Sequence, residues 1–107
     1  MSVKFEFKSE VLTAKLSGDI DHHSAVALRE KIDQHLQNIR PCVLKLDFRY
    51  VPFMDSSGIG LILGRIKLIK RWGGKIVLSN ISEDMAKMAK IAGVFSLVSK
   101  DIGGDFE

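Results

Sequence analysis

The residues best suited to chemistry fall in one segment, FMDSSGIGLILGR, running from Phe53 to Arg65. It sets Asp-Ser-Ser-Gly at a junction leading into an apolar helix. A helix N-terminus presents unpaired amide groups and a partial positive charge. A hydroxyl placed there, such as that of Ser56, is exposed and sits where an added phosphate is stabilised. Gly58 and Gly60 carry no side chains, so another backbone can approach closely. A purely structural account also fits: Ser56 or Asp55 caps the helix, and the glycines allow tight packing.

Enzymatic readings of the segment fail on spacing. A nucleophile elbow needs G-x-S-x-G, but Met54 stands two residues before Ser56 and Asp55 two before Ser57. A phosphate-binding P-loop needs Lys-Ser/Thr after its last glycine, but Gly64 is followed by Arg65 and Ile66. A hydrolase triad needs a histidine beside the serine, and His22, His23 and His35 are the candidates. Sequence alone does not place them. His22 and His23 are adjacent, so they cannot share one site on a regular helix. With no cysteine nearby, they read as exposed residues of a helix start rather than metal ligands. No catalytic residue, metal site or cofactor is assigned.

These residues need elements to hold them. Val3, Phe5 and Phe7 alternate with charged residues, the period of a strand with one wet face. Val11 to Leu16 reads as a second strand, joined to the first by a hairpin. Ala25, Leu28, Ile32, Leu36 and Ile39 recur at three and four, predicting a helix over 22–38. Asp21 stands before it as a cap and Pro41 stops it. Cys42 to Phe48 is a strand, and 49–55 is a connection. Residues 56–71 read as a helix that buries Ile59, Leu63 and Ile66, with Gly73 and Gly74 ending it. Arg65, Lys67, Lys70, Arg71 and Lys75 form a basic cluster that reads as the solvated end of this helix. Lys75 to Ser79 is a fourth strand. Ser82 opens a helix over 82–92, and Phe95 to Ser99 is a last short strand.

The order is thus β-β-α-β-α-β-α-β. Strands alternating with helices imply an α/β fold: a mainly parallel four- to five-stranded sheet, an antiparallel N-terminal edge strand, and helices packed on it.

Size and composition agree with one domain over residues 1–107. Hydrophobic residues make up 46% and charged residues 27% of the 107, a range that suits a core-forming globule. The net charge of +3 is too small to argue for a polyanion, and one Trp and one Tyr leave little for stacking nucleic-acid bases. The single cysteine, Cys42, allows no internal disulfide and reads as a small packed hydrophobe. The N-terminus has no apolar core of a signal peptide, and the apolar stretch from Gly58 to Gly64 is too short to span a bilayer. The expectation is a cytoplasmic protein with no nucleic-acid or membrane partner.

At this point the chain resembles a family. FMDSSGIGLILGR looks like the signature of anti-sigma factor antagonists, bacterial members of the STAS domain family. GDIDHHSA, Gly18 to Ala25, is similar to the sporulation-type members. WGGKIV, Trp72 to Val77, and IAGVF, Ile91 to Phe95, also fit, so the resemblance runs along nearly the whole chain. The resemblance implies a further helix after the last strand, where the tail IGGDFE carries no strong helical signal.

The resemblance implies a non-enzymatic switch. Its unphosphorylated form binds an anti-sigma factor that is also a serine kinase carrying ATP or ADP, and so frees a sigma factor. The kinase phosphorylates Ser56, the first serine of D-S-[ST]-G. A serine phosphatase resets the protein. Asp21 and Asp55 match the family's acidic residues, and the partner contact is expected at Asp21, Asp55, Ser56, Ser57 and Gly58. The alternative within the same family is an unmodified STAS subunit of a structural, stressosome or lipid-transport assembly.

Overall fold

In the computed structural model, the residues described are 2–97. The alternating N-terminal residues form β1 (Ser2–Lys8), which pairs antiparallel with β2 (Val11–Ser17). Only Ser9 and Glu10 separate the two strands. Both take left-handed backbone angles, φ 51° and 66°. Two such residues give the turn whose twist matches a hairpin, a turn more often made by asparagine and glycine.

The chain then runs through α1 (His22–Ile39), β3 (Val43–Tyr50) and α2 (Ser56–Ile69), followed by one 3-10 turn, Lys70–Trp72. Next come β4 (Lys75–Ser79), α3 (Glu83–Ile91) and a 3-10 turn, Val94–Ser96. The sheet order is β1-β2-β3-β4, with β2 to β4 parallel and β1 as the antiparallel edge. This is the expected mixed α/β sheet, with four strands among the described residues.

Register decides which side is apolar. Leu12 lies beside Leu44, Ala14 beside Leu46, Leu44 beside Ile76 and Leu46 beside Leu78, so these side chains share one face. They are buried together with Leu28, Ile32 and Leu36 of α1 and Ile59, Ile62 and Ile66 of α2. Each fully buried aliphatic side chain contributes about 1.5–3 kcal/mol over its exposed state.

Several expectations about the elements and their burial need correction. Phe95 and Ser96 belong to the 3-10 turn rather than a strand, and residues 98 and 99 lie outside those described. The helix predicted over 56–71 ends at Ile69, because Gly73 at φ 76° closes a tighter last turn. Leu63 is only half-buried, while Leu61, Ile62 and Ile69 face the core. Cys42 is exposed, because it precedes the first residue of β3 and its thiol lies 3.7 Å from a carboxylate oxygen of Glu10.

Candidate functional site

The two segments singled out by sequence meet at the end of the sheet. Beyond β2 and β3 a further parallel bridge joins Ile20 to Met54. The Ile20 amide donates to the Phe53 carbonyl at 2.9 Å, and the Asp55 amide donates to the Ile20 carbonyl at 3.1 Å. Asp21 and Asp55 each follow a bridged residue. The bridge therefore sets the start of α1 beside the start of α2. Ile20 is fully buried and Met54 nearly so, which anchors both segments in the core.

Asp21 is the N-cap of α1. Its carboxylate accepts from the Ser24 amide at 2.9 Å, and its own amide donates to the Ser24 hydroxyl at 2.9 Å. This reciprocal box uses the hydroxyl fully, since that group also donates to the Asp19 carbonyl at 3.1 Å. Hydrogen bonding from the Ser24 amide holds the Asp21 carboxyl below its ordinary pKa. The Asp21 side chain nonetheless stays exposed and charged.

Asp55 caps α2 in the same way but singly. Its carboxylate accepts from the Ser57 amide at 2.8 Å, and its carbonyl accepts from the Gly58 amide at 3.0 Å. A cap of this kind contributes about 1 kcal/mol. The third helical residue is Gly58, which has no side chain to reciprocate. A Cβ there would overlap the Met54 side chain, so the tight approach of loop to helix requires glycine. Ser56, the first helical residue, is exposed, and its hydroxyl has no hydrogen-bond partner among the described residues. Of the five expected contact residues, Asp55 to Gly58 are consecutive at one helix start, and Asp21 follows Ile20, the residue bridged to Met54.

The histidines do not convert this site into a hydrolase. His22 and His23 are exposed, and no histidine hydrogen-bonds to Ser56 or Ser57 among the described residues. No group of three or more potential metal-ligating side chains occurs among them. No helix among them is long and apolar enough to cross a membrane.

Arg65 departs from its expected place in a solvated basic end. It is 6% exposed, and its Nε lies 2.8 Å from Oδ1 of Asp33 on α1. That contact is a charge pair without hydrogen-bond alignment, and Nη1 has no partner among the described residues. Burial lowers the Arg65 pKa, opposed by the Asp33 charge, but a guanidinium stays protonated. The signal for this burial was present in the spacing Leu61, Arg65, Ile69, which puts Arg65 on the core-facing stripe.

Comparison with known proteins agrees with this geometry. Residues 2–104 match the model of the STAS domain family. An anti-sigma F factor antagonist from Paenibacillus polymyxa is 32% identical over 98 residues, 92% of this chain and 84% of the relative. An anti-sigma-B factor antagonist from Bacillus subtilis (strain 168) is 31% identical over 96 residues, 87% of this chain and 86% of the relative. Among solved structures, the anti-sigma factor antagonist SpoIIAA in its unphosphorylated form has a TM-score of 0.77 at 30% identity, covering 86% of this chain and 81% of that one. Its phosphorylated form gives 0.73 at 30% identity, covering 92% and 89%. With this family signature, this sheet order and two capped helix starts side by side, the chain belongs to the STAS domain family as one of its anti-sigma factor antagonists, which are non-enzymatic regulators.

Proposed function

We propose that this chain, as one STAS domain over residues 1–107, binds an anti-sigma factor that is also a serine kinase and is released when that kinase phosphorylates Ser56. The observation that carries the reading is the exposed Ser56 hydroxyl, unengaged at the first position of α2 and flanked by Asp55 and Asp21. The unphosphorylated protein uses Asp21, Asp55, Ser56, Ser57 and Gly58 as contacts and frees a sigma factor. A serine phosphatase resets it in the cytoplasm. The DHH segment, residues 21–23, favours the sporulation sigma factor over the stress factor, two roles represented at nearly equal identity among the relatives.

Phosphorylation adds about −1.5 to −2 charges at neutral pH. At the start of α2 that charge gains about 0.3–1 kcal/mol from the helix dipole. The backbone there is already held by the Asp55 cap and the Ile20–Met54 bridge, so the added group leaves the fold in place. It acts through charge, bulk and hydration on the contact surface. Similarity to SpoIIAA in both of its forms, at comparable TM-scores, supports a local switch.

Incubation with ATP and the cognate anti-sigma kinase tests the reading. Phosphate is expected on Ser56 by mass spectrometry. Ser56→Ala takes up none and still binds the kinase, and Ser56→Asp binds more weakly. Phosphate on Ser57, or none at all, overturns the site assignment. Amide chemical-shift changes confined to the neighbourhood of Ser56 and Asp21 are expected on phosphorylation. Large shifts across β3 and β4 would instead mean that the whole sheet responds.

A further inference from the structure

A groove of about 380 Å³ runs between α1 and α2 and includes Ser57 in its lining. His22, Val26 and Arg29 line it from α1, and Gly60, Gly64 and Arg65 from α2. Gly60 and Gly64 are one turn apart on the same side of the helix, and a Cβ on either would meet no atom within 4 Å. Alanine forms helix better than glycine, so helix stability does not account for two glycines here. What they do is keep the groove open and put backbone at its floor.

The charge of the groove is also unbalanced. Arg29 and Arg65 both line it, while Asp33 pairs with Arg65. Arg65 is 6% exposed, and its Nε and Nη1 are buried without a hydrogen bond among the described residues. Its charge therefore lies beneath the groove, while Arg29 is exposed and able to donate a charge-assisted hydrogen bond to an incoming carboxylate. No acidic side chain is among the residues that line the groove. An occupant therefore needs an anion toward Arg29, above the buried Arg65, with apolar contact at Val26.

The geometry points to this groove as a docking channel for the partner that covers Ser56, receiving an acidic side chain of that partner beside Arg29 and Arg65. The inference rests on the reading of the chain as an antagonist that binds an anti-sigma factor at Ser56, and Ser57 is common to both surfaces. An acidic side chain is the chosen occupant because it complements the unbalanced guanidiniums and arrives on a protein already seated at the same helix start.

Calorimetric titration of the full chain with the purified cognate anti-sigma factor, at low and high salt, tests it. Gly64→Leu fills the groove and Arg29→Glu reverses its charge. Each is expected to weaken binding at least tenfold while circular dichroism stays unchanged, and Arg29→Glu also flattens the salt dependence. Lys87→Glu makes the same charge change on the exposed side of α3 and should bind within twofold of the unaltered chain. If Gly64→Leu fails to fold, Gly60→Ala together with Arg29→Glu carries the test. Weakening by the glycine variants alone, with Arg29→Glu unaffected, overturns the acidic occupant. Normal binding by both kinds of variant, with Ser56→Asp still impaired, overturns the groove and leaves the Ser56 reading intact. No binding by the unaltered chain overturns both.

Discussion

Helices α1 and α2 begin side by side, each capped by an aspartate, yet the two starts are finished differently. At α1 the third residue is Ser24, whose hydroxyl closes the cap and is consumed by it. At α2 the third residue is Gly58, so no side chain closes the cap, and the nearby serine hydroxyl stays free at the first position. The same residue type is structural in one place and available in the other. What separates them is the approach of Met54, which admits only glycine at the position where a closing side chain would stand.

The most severe way to break this comparison is to remove what the two starts share. Ile20 is fully buried and bridged to Met54, so Ile20→Ala should destabilise the protein by about 2–5 kcal/mol in denaturant unfolding. Both caps should then lose amide-exchange protection together. Loss at α1 alone would mean that the starts are independent.

Gly58→Ala comes next. Its methyl overlaps the middle of the Met54 side chain, at a cost of about 1–3 kcal/mol. Met54→Ala in the same chain should recover part of that loss, and the coupling is read from a double-mutant cycle. Full additivity would sink the claim that Met54 imposes the glycine.

Serine-to-alanine changes sharpen the contrast directly. Ser24→Ala removes the hydroxyl that accepts from the Asp21 amide and should cost about 1 kcal/mol. Ser56→Ala removes an unengaged hydroxyl and should stay within about 0.5 kcal/mol of the unaltered chain. Equal losses in thermal unfolding would erase the difference between the two starts.

The smallest effect is one of pH. The Asp21 carboxyl has its pKa lowered in the folded state, so its contribution to stability is present above the unfolded pKa, near 3.8. It is lost as pH falls through the lower, folded value. Unfolding midpoints measured from pH 5 downward should therefore drop slightly less for Asp21→Asn, which keeps a capping oxygen without a titrating one. Identical curves would show that the cap is indifferent to charge.

Much of this arrangement was legible in the residue order. The period of two in Val3 to Phe7 and the three-and-four spacing from Ala25 to Ile39 place β1 and α1 within a residue or two. Asp21 and Asp55 are readable as caps because each precedes an apolar helical pattern. Arg65 was misplaced because a basic residue among Lys67, Lys70 and Arg71 looks like part of a wet helix end, although its spacing from Leu61 and Ile69 puts it inward. Its partner Asp33 is on another helix, and pairing across helices leaves no local mark. Cys42 was misjudged by a single residue, since the strand begins just after it. The Ile20–Met54 bridge could not be read at all, because it depends on how far the parallel pairing of β2 and β3 continues past their regular ends.

That bridge has a consequence for recognition. The surface around Ser56 is discontinuous in the chain: Asp21 reaches it from a segment more than thirty residues earlier, and only after β2 and β3 have paired. A free peptide copying Phe53 to Arg65 carries the serine and its neighbouring aspartate but neither the second carboxylate nor the fixed helix start. If a kinase acts on Ser56 as proposed and reads the assembled surface, it would ignore the peptide and accept a newly made chain only once its fold is complete.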